Sequence, residues 1–191
     1  RDYEAYVTTF TEAFEEFTEL LAIDTARTVE VIIFPGQREF IEKIYGYFEP
    51  RVKSAGMAPP GESKIYITSY HDTTTGRDFA EYMRVARHEL VHSLLGNEKA
   101  WLSEGLALWC AGQTREFESL PASPKEMMVY LENNIYNREA YTYYSWFTRF
   151  LVEKAGFQIY LRFYKSNYDW SIVGYPGEEE FCKDAFIALQ K

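Results

Sequence analysis

The apolar positions change period along the chain, and the period names the elements. Between residues 3 and 23, Tyr6, Phe10, Phe14, Phe17 and Leu21 recur at three- and four-residue steps, which predicts an amphipathic helix. TVEVIIFP (28–35) is instead a short apolar run stopped by Pro35 and Gly36, and reads as a buried strand. A second helix fits 37–48. In AGMAPPG (55–61) two prolines and two glycines withhold regular hydrogen bonding, so a loop is predicted. KIYITSY (64–70) is β-branched and alternating, the pattern of a second strand.

After the polar turn HDTTTGR, Asp78 is a good N-cap for a helix from Phe79 to Leu95, with Gly96 and Asn97 as its stop. Another helix is expected from Ala100 or Trp101 to Cys110. From Pro124 onward, KEMMVYLENN, YTYYSWFTRFLVEKAG, FQIYLRFYK and EEEFCKDAFIALQ all carry helical patterning. Two strands among helices, then a mainly helical C-terminal half, give the α+β class. No repeat or linker interrupts the pattern, so one domain over 1–191 is expected.

Composition narrows the partners. With 47% hydrophobic and 18% aromatic residues in 191, the chain has ample material for a core. Its 29 acidic against 20 basic residues leave a net charge of -9 and no Lys/Arg cluster, which disfavours nucleic acid and anionic lipid as partners. No apolar run is long enough to span a bilayer, so membrane insertion is not expected. Cys110 and Cys182 lack CxxC spacing and are expected as buried thiols or a single bridge.

The chemistry concentrates in HELVHSLLGNEKAWLSEG (88–105). Four residues turn an α-helix by about 400°, so His88 and His92 project in nearly the same direction and can reach one ion. Glu89, offset from that axis, can reach a water beside the ion, the general-base place of H-E-x-x-H. After eleven intervening residues beyond His92, Glu104 stands among Trp101, Leu102, Leu106, Leu108 and Trp109, where a lone carboxylate is costly unless a charge compensates it. Gly105 beside it sacrifices about 1 kcal/mol of helix propensity, which points to a close helix approach. The plainer reading has two satisfied helix histidines, with Glu104 capping its helix or pairing with Arg84 or Arg87.

HELVH followed by Glu104 within W-L-S-E-G-L-A resembles the gluzincin metallopeptidases, and looks most like compact bacterial peptidase-MA-like domains. A metzincin would carry Gly and His where this chain has Leu95 and Glu98. The resemblance implies a zincin-like fold, a small sheet with the metal-binding helix in the N-terminal half, and KIYITSY as edge strand. It implies one catalytic Zn2+ held by His88, His92 and Glu104, with Glu89 as base and a tyrosine as transition-state donor. Among sixteen tyrosines, register with the family's tyrosine-bearing helix selects Tyr141, then Tyr144, with Tyr143 as packing. The expected partner is a peptide or protein substrate.

The chain departs from the pattern at Ala100, where such domains often carry proline, and at Leu108, where aspartate would follow Glu104 at four residues. It also lacks a G-x-M-E-N segment, which favours endopeptidase over aminopeptidase. A fold that binds partners without turnover is the alternative, and a structural zinc closed by Cys110 is a third. Arg1 in place of a start methionine fits a mature or excised domain and, with the resemblance, an extracellular or cell-envelope setting. Oligomeric state has no sequence signal.

Overall fold

The computed structural model describes residues 2–24, 27–49, 51–95, 99–166 and 168–191. It is α+β, mainly helical with one three-stranded sheet. The chain forms two compact units, residues 1–97 and 98–191.

In the first unit, α1 (Asp2–Leu20) carries the predicted stripe, and Tyr6, Phe10, Phe17 and Leu21 are all buried. The Tyr6 hydroxyl donates to the Thr68 carbonyl at 2.7 Å. Strand β1 (Glu30–Phe34) is half-exposed rather than buried, because it lies at an edge of the sheet. Helix α2 (Gln37–Tyr45) ends three residues earlier than predicted. Gly46 adopts a left-handed φ of 77° and its N–H donates to the Glu42 carbonyl at 2.9 Å, closing the helix.

Two expectations about the sheet are corrected. Within the AGMAPPG loop, Gly56–Met57 forms a short strand, β2, antiparallel to β3 (Lys64–Thr68) with Gly56 opposite Ile67. Ala55 extends the pairing, its carbonyl accepting from the Thr68 N–H at 2.9 Å. Pro59 and Pro60 lie beyond these bonds, so they stop the strand without preventing it. On its other side β3 pairs in parallel with β1, from Glu30–Lys64 to Phe34–Thr68. The order is therefore β1-β3-β2, and KIYITSY is the central strand, not the edge. Alternation then divides β3. Tyr66 packs with Phe40 and Ile41 of α2, while Ile65 and Ile67 are fully buried on the opposite face. Helix α3 (Phe79–Leu95) packs against β2 and β3.

The second unit is helical: α4 (Ala100–Cys110), α5 (Pro124–Glu132), α6 (Arg138–Ala155), α7 (Phe157–Lys165) and α8 (Glu178–Leu189). Trp101 of α4 sits in an aromatic core, edge-on to Phe147 of α6 and stacked on Trp170 at 5.9 Å. Phe163 and Phe181 complete the cluster. Helix α4 packs closely on α6. A side chain on Gly105 would collide with Thr148 Oγ1 and lie 2.7 Å from the Tyr144 carbonyl, which accounts for the glycine. Among the described residues no helix is long and apolar enough to cross a membrane.

Candidate metal centre

The helix that carries HELVH is fixed at both ends. At its start, Asp78 Oδ1 accepts from the Glu81 N–H at 2.8 Å and Glu81 Oε2 accepts from the Asp78 N–H at 2.9 Å, a reciprocal cap. One turn in, the Tyr82 hydroxyl donates to the Asp72 carbonyl at 2.8 Å. At the other end Arg27 Nη1 donates to the Leu94 carbonyl at 2.6 Å, placing a cation where the helix dipole favours one. The predicted stop at Gly96 and Asn97 lies outside the described residues. With the helix held this way, its rotation aims His88 and His92 inward, and both are buried.

Their Nε2 atoms stand 3.0 Å apart, with ring planes inclined at 71°. Two nitrogens on one tetrahedral zinc, each ~2.0–2.1 Å from it, would be separated by roughly 3.3 Å. The pair is thus pre-set for a shared ion to within a few tenths of an ångström. Glu104, on α4, is 8% exposed in a helix whose residues are nearly all buried. One ligand atom from each of His88, His92 and Glu104 lies within 4.8 Å of the others, so this buried trio could hold a metal ion. Two imidazoles and one carboxylate form a donor set suited to zinc. Arg87, one of the arginines considered as a partner for Glu104, reaches Glu16 of α1 at 2.9 Å.

Glu89 is half-buried on α3, where its stem meets the backbone of β2 at Gly56. A hollow of about 570 Å³ opens beside His92, walled in part by Asp24, Arg27, Glu62 and Ser63. His71 is exposed and its ring packs on Tyr70 at 4.4 Å. Cys110 and Cys182 are both buried thiols, and no disulfide joins them.

The three tyrosines considered on α6 have different surroundings. Tyr143 is buried, stacks on Tyr130 at 4.0 Å and donates to Glu126 Oε1 at 2.9 Å. Tyr144 is fully buried, and its hydroxyl donates to the Ile135 carbonyl at 2.8 Å while accepting from the Ile135 N–H. Burial, partly offset by the hydrogen bond with Ile135 and reinforced by nearby Tyr136 and then Glu104, pushes its phenol up to about 12. Tyr141 is half-buried, with the Arg115 guanidinium 5.5 Å above its ring.

Sequence reasoning passed over a fourth, Tyr136. Its side chain is 61% exposed, yet burial of the phenol and then the charge of Glu104 raise its pKa. The loop that carries it is tied to two helix starts. Asn134 Oδ1 accepts from the Ala100 N–H at 3.1 Å, and Asn137 caps α6. Those two cap-forming asparagines were the available signal. No protein family, curated protein or solved structure gives a significant match to this chain.

Proposed function

We propose that this chain is a zinc-dependent peptide-bond hydrolase of zincin-like fold and gluzincin type, acting as an endopeptidase. The observation that carries the reading is the buried His88, His92 and Glu104 trio beside Glu89, whose spacing in sequence is that of H-E-x-x-H followed by a distant glutamate. His88 and His92 would hold the ion through Nε2, and Glu104 through a carboxylate oxygen. A zinc in that place supplies two things: it lowers the pKa of a water toward ~7 and polarises the scissile carbonyl.

The protein's own groups do the rest. Glu89 takes a proton from the attacking water and returns it to the leaving amine nitrogen. The Tyr141 phenol donates to the oxyanion as the carbonyl becomes tetrahedral. Because β3 is central, main-chain pairing with an extended peptide passes to the outer side of β2. Backbone pairing is tolerant of sequence, so side-chain pockets would set specificity.

The test is zinc content of the purified protein beside a Glu89→Gln variant, both assayed on casein. Near-stoichiometric zinc in both, with cleavage reduced ~10²–10⁴-fold in the variant, is the expected outcome for loss of a general base. Zinc in both without cleavage in either would favour a binding module that keeps the fold without turnover. Failure of the parent to take up added zinc would overturn the ligand assignment.

A further inference from the structure

Strand β2 passes directly over the side chain of Glu89. A methyl group built on Gly56 would lie 2.8 Å from Glu89 Cγ, 2.8 Å from Val85 Cγ1 and 3.1 Å from Glu89 Oε1. Carbon atoms pack best at ~3.5–4.0 Å, so both carbon contacts are well inside the repulsive wall. Gly56 is buried and lies outside the left-handed region, so its backbone conformation does not require glycine. Glycine within a strand weakens it and often marks a close approach. Here the approaching group is the stem of Glu89, with Val85 on the same helix face one turn before it.

Val85 is β-branched and stiff about χ1, so it yields little. The stem of Glu89 is bounded by its own helix, by Val85 and by the bare backbone of β2. We infer that Gly56 is a positioning residue for Glu89: the missing side chain lets the strand lie on the glutamate and hold its carboxylate in one orientation. This rests on reading Glu89 as the general base. A carboxylate that must take and return a proton within one cycle gains from being held in place, since a displacement of about 1 Å at a reacting group costs on the order of a hundredfold in rate.

The experiment is a double-mutant cycle on urea denaturation of the metal-free protein, with Gly56→Ala, Glu89→Ala and the pair. Gly56→Ala is expected to lower the midpoint in the parent and to lower it by measurably less once Glu89 is alanine, the clash with Val85 remaining. Additive shifts would overturn the inference whatever the activity. In the zinc-loaded protein, Gly56→Ala is expected to keep its zinc and its KM while kcat falls about a hundredfold. An unchanged kcat would also overturn the inference. A parent without activity overturns the reading of Glu89 as base, and with it the catalytic part of the inference, while the cycle still decides whether β2 clamps the stem. If Gly56→Ala does not fold, the cycle is run in a Val85→Ala background, where a smaller loss of stability with Glu89→Ala than without it supports the contact and equal losses overturn it.

Discussion

Tyr141 and Tyr144 lie three residues apart on α6 in different surroundings, Tyr141 half-buried and Tyr144 fully buried. The Tyr144 phenol closes the loop before α6 through both backbone groups of Ile135. Tyr144→Phe leaves those buried groups short of a partner and should destabilise the chain by ~1–3 kcal/mol. Tyr141→Phe should lower kcat on casein by ~10²–10³, as expected for loss of one oxyanion donor. If Tyr141→Phe is fully active and Tyr136→Phe is not, the donor is Tyr136. HELVH was legible in the sequence because helix geometry alone brings positions four apart together. Tyr136 was not, because its proximity to Glu104 depends on how the 133–137 loop folds onto the starts of α4 and α6.

At the scale of elements, Gly105 shows what propensity can and cannot reveal. A glycine inside an otherwise apolar helix signals close approach, and the structure supplies the neighbour, Thr148 on α6. Gly105→Ala should destabilise the protein by ~1–3 kcal/mol through overpacking. Adding Thr148→Ala should recover part of that loss in urea denaturation, because the hydroxyl it removes is in the way. The sheet was harder to read. A two-residue strand has no periodicity, and its pairing with β3 is set by where residues 55–57 return in space. Sequence alternation showed that residues 64–68 form a strand, but it does not show which strands flank it.

The pH range of the whole molecule follows from its buried phenols. Burial raises the pKa of Tyr130 to about 12 and raises those of Tyr143 and Tyr160 further. Tyr144 is raised to about 12 as well. In the unfolded chain each ionises near ~10. A folded pKa above the unfolded one gives stability that is complete below pH ~10 and is lost as pH climbs through the folded values. The melting temperature should therefore fall steeply above pH ~10. Tyr143→Phe should shallow that fall, since phenylalanine has nothing to ionise. On the acid side, Lys154 holds the Asp184 carboxylate below its usual range at 2.6 Å. That contribution is present above pH ~4 and disappears as pH falls through the folded Asp184 value. The pair is about half-exposed, so its share is small.

By itself the sequence determined the helices, the α+β class, the capping of α3 at Asp78 and the H-E-x-x-H pair, because each is written in side-chain period or local hydrogen bonding within a few residues. Tertiary structure decided that β3 is central, that β2 exists and crosses Glu89, that Gly105 meets Thr148, that no disulfide joins the cysteines, and that Tyr136 shares the electrostatic surroundings of Tyr144 and Glu104. Each of these joins positions far apart in the chain. Such contacts are selected by packing and burial of the folded whole, and no local pattern encodes them.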